Sequence, residues 1–262
     1  LEHVELVFGL LREAKLKVSA EKCQVAQARI QYLGHVVGGG THGPDPEKLA
    51  AIRDLAPPAT KKQLRSLLGL CGYYRGYVRN YAAVAAPLTA LTKRSVPNPI
   101  PWAEDAQNAF AELKRSLCEA AALTTPDIHK PYWLFTDASE IAAGACLAQM
   151  GNDGREKPIA FASHRFTPTQ ARWSTIEREA FAIIWALKKF DSWVFGAEIQ
   201  VVSDHNPLSY LTTSTPHGAK LARWALALQR YNVVVTHRKG SSNGNADALS
   251  RIPNITWEDS RE

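Results

Sequence analysis

The sequence predicts an α/β fold: a mixed five-stranded sheet with flanking helices in the second half of the chain, preceded by a mainly helical region. Three observations carry this. Five short apolar runs after residue 131 are set apart by turn chemistry or by helix-length segments. Between residues 60 and 118 apolar residues recur at helical spacing instead. The second half then runs as three strands, a long helix, a strand, a helix and a strand, an order that suits antiparallel pairing first and parallel pairing later.

Taken in order, residues 1–18 read as a helix carrying Val4, Val7, Phe8, Leu10 and Leu11. Residues 23–37 read as two short strands, the second holding Ile30, Tyr32, Leu33, Val36 and Val37, and Gly38-Gly39-Gly40 breaks it as a turn. Pro44-Asp45-Pro46 opens a helix through Ile52, and Pro57-Pro58 closes that unit. Thr60 is an N-cap for a long helix with Leu64, Leu67, Leu68 and Leu70. A helix follows around Val84–Leu91, then a proline-bearing linker candidate at Ser95–Pro101, and a helix over 103–118. Strands are expected at Tyr132–Thr136, Gly144–Gln149, Pro158–Ser163, Ile199–Ser203 and Val233–His237, with Gly151-Asn152-Asp153-Gly154 as a hairpin turn. Helices are expected over about Ser174–Trp193, Lys220–Arg230 and Ala246–Arg251, and the acidic end Ile255–Glu262 as a frayed tail.

The 262 residues suit two domains of ordinary size, and 45% hydrophobic with 21% charged is a globular composition. No apolar run reaches membrane-spanning length, and no basic-then-apolar signal segment is present. The chain starts at Leu1 inside a helical pattern, so it reads as a piece of something longer. Cys23, Cys71, Cys118 and Cys146 lack CxxC pairing and read as buried free thiols of a reducing compartment. The histidines supply no zinc spacing. The net charge of +6 is uneven: residues 48–94 hold nine basic residues against one acid, Asp54, with Tyr73, Tyr74, Tyr77 and Tyr81 interleaved. Such a stretch suits a phosphate backbone as well as a solvated helix face.

Two strands end alike. Phe135-Thr136-Asp137 and Val202-Ser203-Asp204 each place an aspartate after an apolar run, where a carboxylate is costly unless paired or holding a metal. If those strands are neighbours, both carboxylates emerge at one sheet edge, a Mg²⁺ site suited to phosphoryl transfer. A cap on the following turn is the plainer reading of either aspartate alone. Periodicity does not select the helix acid that would join them. Glu177 and Glu179 lie about 200° apart on a helix, and both border apolar positions.

The chain resembles the C-terminal part of gypsy-type LTR-retrotransposon reverse transcriptases. The matching runs include Leu11-Arg12-Glu13-Ala14, Tyr32-Leu33-Gly34-His35, Asp45-Pro46-Glu47-Lys48, Leu68-Gly69-Leu70 with Tyr73-Tyr74-Arg75, and Ala86-Pro87-Leu88. They continue through Thr136-Asp137-Ala138-Ser139, Glu177-Arg178-Glu179, Ser203-Asp204-His205-Asn206-Pro207-Leu208, Arg223-Trp224 and Ala246-Asp247-Ala248-Leu249-Ser250-Arg251. The resemblance implies a partial palm with a primer-grip-like hairpin over 1–50, a basic thumb and connection over 51–125, an RNase H domain over 126–252 with that family's five-stranded mixed sheet, and an acidic tail over 253–262. It implies Asp137, Glu179, Asp204 and Asp247 as catalytic residues and ligands of two Mg²⁺ ions, for which Mn²⁺ can substitute. Glu179 is preferred to Glu177 because it stands three residues before Ala182-Ile183. His237, or the basic loop Arg238-Lys239-Gly240, takes the place of a residue that assists proton transfer or product release, and His205 reads as an orienting or structural residue. Contacts to nucleic acid are expected from Tyr32, Gly34, His35, Lys61, Lys62, Arg65, Gly69, Tyr73, Arg75, Arg238 and Lys239.

The function implied is endonucleolytic cutting of the RNA strand of RNA–DNA hybrids. Hybrid and primer–template nucleic acid are the partners, together with the upstream fingers and palm or a second copy. The Tyr-x-Asp-Asp pair of polymerase chemistry is not in this sequence, so DNA synthesis is not expected of it. The rival expectation is a nucleic-acid-binding remnant without turnover. The location expected is the cytoplasm or the nucleus, not secretion.

Overall fold

A computed structural model describes residues 1–203 and 219–237. Helix α1 (Glu2–Glu13) is followed by strands β1 (Arg29–Tyr32), β2 (His35–Gly38) and β3 (Thr41–Pro44), and by helix α2 (Pro46–Arg53). Next come α3 (Lys61–Tyr73), a 3-10 turn at Arg75–Tyr77, α4 (Tyr81–Val84), α5 (Ala86–Leu91), α6 (Glu104–Cys118) and the short β4 (Leu123–Thr124). The second half holds β5 (Tyr132–Ala138), β6 (Ala142–Met150), β7 (Glu156–Arg165), α7 (Pro168–Ala171), α8 (Thr175–Lys189), α9 (Asp191–Val194), β8 (Glu198–Ser203), α10 (Ala219–Leu228) and β9 (Asn232–His237).

The mixed sheet has the order β7-β6-β5-β8-β9. The first three strands pair antiparallel, and β8 pairs parallel with both β5 and β9. Parallel neighbours need a crossover, which α7–α9 supply between β7 and β8. Alternation along β5 divides the core. Leu134 packs with Ala180, Ile183 and Leu187 of α8 on one face, and Phe135 packs with Leu123, Cys146, Phe161 and Val202 on the other, where Tyr77 joins them. The helical region has its own core of Ile52, Leu64, Leu67, Leu88, Leu113 and Leu117. It meets the mixed sheet at β7: the Ala82 N–H donates to Ser163 Oγ at 2.7 Å, and Arg79 lies over the Phe161 ring at 5.1 Å.

Several expectations are corrected. Residues 23–28 hold no strand, and the run expected as the second strand is itself a hairpin, β1–β2, turning at Leu33 and Gly34 with φ of 48° and 76°. Strand β3 was not expected: Gly43 and Pro44 are poor strand formers, and Pro44 was read as part of the helix start. It pairs with the distant β4 to complete a second, four-stranded sheet. Helix α1 stops at Glu13 and buries none of its residues. The helix around 84–91 is two short pieces, and the one expected to reach Trp193 breaks at Phe190 into α8 and α9. The 95–101 segment is packed, not a free linker: Ile100 is buried and its N–H donates to the Ala59 carbonyl, while the Trp102 indole donates to Pro58 O. Cys23 and Cys118 are exposed, and only Cys71 and Cys146 are buried. Among the described residues, no helix is long and apolar enough to cross a membrane.

Candidate active site and nucleic-acid surface

Strands β5 and β8 are parallel neighbours, with Phe135 in register with Val202. Their carboxyl ends therefore share one sheet edge, the condition on which the paired-aspartate reading depended. Asp137 stands at that edge, 7% exposed. The residue following Ser203 is Asp204, which lies outside the described residues, as do Asp247, Arg238 and Lys239. On the far side of β8, Ser203 is in register with His237. His237 is thus an exposed residue at the same edge.

The geometry separates the two helix acids. Glu179 is 3% exposed, and its Oε1 accepts the Ala138 N–H at 3.0 Å, one residue past Asp137. Glu177 serves α8 instead. It closes a capping box with Ser174 and pairs with Lys220 at 2.8 Å, and the lysine holds its carboxyl below the usual range. Arg178, between them, donates from Nη1 to Ser139 O at 2.9 Å. Ser139 Oγ in turn accepts from the backbone N–H groups of Ile141 and Ala142, closing the β5–β6 turn. Consecutive residues of α8 therefore fix the segment that follows Asp137. Sequence reading missed Arg178, since its partner Ser139 lies far away in sequence and leaves no local signal.

Around the β1–β2 turn three tyrosines converge. Tyr73 donates its hydroxyl to Leu33 O, and Tyr74 donates to Gly34 O at 2.9 Å. The Tyr77 hydroxyl lies 3.0 Å from His35 Nδ1 and 2.8 Å from His42 Nδ1. One hydroxyl proton serves only one ring, so the other imidazole must carry its proton on Nδ1. Tyr73 stacks on His35 with ring centroids 5.1 Å apart. A Cβ on Gly34 would stand 3.0 Å from the Tyr74 hydroxyl, and φ there is left-handed, so glycine is required twice over. His35 is thus engaged inside the protein, whereas Tyr32 is 61% exposed. The tyrosine spacing was visible in the sequence, but its target was not.

The other expected contacts divide. Lys61 donates to Lys93 O at 2.9 Å and Arg65 to Thr92 O at 2.9 Å, so both hold the turn after α5. Lys62, Ser66, Gly69 and Tyr73 lie within about 60° of one another around α3, and all four are exposed. Space above Gly69 is open to 4 Å. Arg75 is exposed beside this stripe.

Comparison with known proteins places this geometry. Residues 127–231 match the family model described as the RNase H-like domain found in reverse transcriptase. Residues 127–231 form an RNase H-like domain of the reverse-transcriptase kind. Strands β5 to β8 and the edge carrying Asp137 fall within the matched residues, β9 follows directly after them, and helices α1 to α6 precede them. The chain is 38% identical to the retrovirus-related Pol polyprotein from transposon opus and 35% identical to that from transposon gypsy, both of Drosophila melanogaster, in each case over 96% of the chain. It spans 26% and 25% of the length of those relatives. Among solved structures, it is similar to a foamy viral protease-reverse transcriptase in complex with double-stranded DNA, at 26% identity and a TM-score of 0.75, covering 90% of this chain and 42% of that one. The likeness therefore runs well outside the RNase H-like domain.

Proposed function

We propose that the chain hydrolyses the RNA strand of RNA–DNA hybrids, as the ribonuclease H part of a retrotransposon reverse transcriptase. The observation that carries this is the Glu179 Oε1 bond to Ala138 N–H, which brings a second buried carboxylate to the strand end holding Asp137. Two buried carboxylates from different elements are hard oxygen donors of the kind Mg²⁺ takes. With Asp204 and Asp247 they would hold two ions. Such a pair, when bound, supplies an activated water and stabilises the leaving oxygen, giving 3′-hydroxyl and 5′-phosphate ends. The chain's own contribution is rigidity. The backbone N–H of Ala138 orients Glu179, and Arg178 keeps the turn after Asp137 from shifting.

The exposed stripe of α3, with Lys62 and Tyr73, supports affinity for the sugar–phosphate backbone without base readout. Tyr32 and Arg75 extend that surface. The 2′-hydroxyls and the shape of the hybrid would select RNA. The double-stranded DNA bound by the foamy viral relative supports a nucleic-acid partner. The test is cleavage of an end-labelled hybrid in Mg²⁺ by the wild-type chain beside Asp137→Asn and Glu179→Gln. Cutting confined to the RNA strand and lost in both variants is expected. A folded wild-type protein that binds the hybrid and leaves it intact would instead establish a binding remnant.

A further inference from the structure

A cleft of about 440 Å³ lies beside strand β7, outside the edge that holds Asp137. One wall is the end of α3 and the turn after it, with Tyr73 and Arg75. The other is the α8–α9 corner, with Trp185, Lys189 and Trp193, and β7 from Ala160 to His164 forms the floor. We propose that this cleft binds a single strand of nucleic acid, with a base on Trp193 and phosphates against Arg75 and Lys189.

Four observations point there. Trp193 is 41% exposed although it stacks on Phe190 at 5.9 Å, so one side of the indole is taken and the rest faces solvent. Arg75 and Lys189 are exposed, and among the described residues neither joins an ion pair. Their charge is therefore not spent on an acid among the described residues. The volume falls in the range of pockets that take small ligands, the size class of a nucleotide. Aromatic faces interleaved with cations are the chemistry of single-strand grooves, where stacking tolerates any base. The position is also suitable. Across the sheet Asp137 is in register with Gly144, and Gly144 with Ser163, so the Ser163–His164 end of the cleft is level with Asp137 two strands away. A strand parting from a duplex at the Asp137 edge would reach the cleft directly. The inference requires binding only, and stands whether or not the chain cleaves hybrids.

The experiment is a salt-dependent anisotropy titration of the intact 262-residue chain with a labelled oligo-dT of about eight nucleotides, using thymidine monophosphate as competitor. Trp193→Ala is expected to bind about ten-fold more weakly, and Trp193→Phe near the wild-type level, since a ring remains to stack on. Lys189→Gln should flatten the slope of log K against log salt by about 0.7, one phosphate contact on a single strand. Melting curves on each variant separate loss of binding from loss of fold. Unchanged affinity in Trp193→Ala together with an unchanged slope in Lys189→Gln overturns the proposal. So does competition by the mononucleotide as effective, molecule for molecule, as the oligonucleotide, which would mark a nucleotide pocket and not a strand track. Cleavage of a blunt hybrid, measured alongside, reports separately on the hydrolytic reading.

Discussion

At the scale of single residues, the site depends on groups that hold other groups. Arg178 reaches Ser139 O across the turn that follows Asp137, and its neighbour Glu179 reaches Ala138 N–H. Residues that orient metal-binding carboxylates typically change metal affinity by 10–100-fold when removed. Arg178→Gln is therefore expected to raise the Mg²⁺ concentration for half-maximal cleavage about ten-fold, with a smaller effect at saturating metal, and Arg178→Lys to recover part of it. A metal titration of cleavage checks this, and equal losses at all Mg²⁺ concentrations would show that Arg178 acts otherwise. Glu177 gives the contrast. With its hydrogen bonds committed to Ser174 and its charge to Lys220, Glu177→Gln should leave the metal dependence unchanged.

At the scale of elements, α3 is the piece on which most else rests. Its N-terminus is closed by a capping box between Thr60 and Gln63, and its inner face carries the fully buried Leu64 and Cys71. Thr60→Ala is expected to destabilise the protein by about 1 kcal/mol, read as a lower melting midpoint. The far end of α3 and the turn beyond it clasp the β1–β2 hairpin through Tyr73, Tyr74 and Tyr77. The clasp should respond to acid. Burial holds both His35 and His42 below their ordinary value of 6.5. The unfolded chain then takes up protons that the folded one resists, so their contribution is present above pH 6.5 and is lost as pH falls below it. Hydrogen exchange at the backbone amides of residues 29–38 should speed up relative to β5–β6 on going below that pH. Tyr77→Phe keeps the ring that helps bury both imidazoles and should leave the differential response in place, since burial and not the shared hydroxyl depresses them.

At the scale of the whole molecule, the helical region and the mixed sheet are joined face to edge through β7. Tyr77 inserts between Phe161 and the hairpin, and the Ala82–Ser163 hydrogen bond sits beside it. Several groups buried across this assembly favour their neutral forms. Burial pushes the Cys71 thiol up to about 11, Cys146 to about 12, and the Tyr77 and Tyr81 phenols to about 12. Raised values stabilise the folded state below the unfolded ones and are lost as pH climbs through the folded ones. Denaturant midpoints should therefore fall steadily between about pH 9 and pH 12. A flat profile over that window would show that these groups are solvated.

Much of this protein was determined locally. Turn chemistry, apolar alternation and the Thr60 cap placed the five strands of the mixed sheet and the long helices, because each depends on residues close in sequence. The order of motifs likewise marked the reverse-transcriptase resemblance. What required tertiary structure was contact between distant segments. β3 is a strand because Leu123 and Thr124 come to pair with it, which His42, Gly43 and Pro44 do not announce. Glu179 and Glu177 are indistinguishable by period, and only the docking of α8 on β5 sets one carboxylate at Ala138 and leaves the other to Lys220. The tyrosine clasp and the cleft beside β7 exist only because folding brings residues 33–35 to 73–77, and 75 to 189 and 193. A sequence carries strong signals for bonds made within a turn or a helix; partners tens of residues apart leave none until the chain has closed the loop between them.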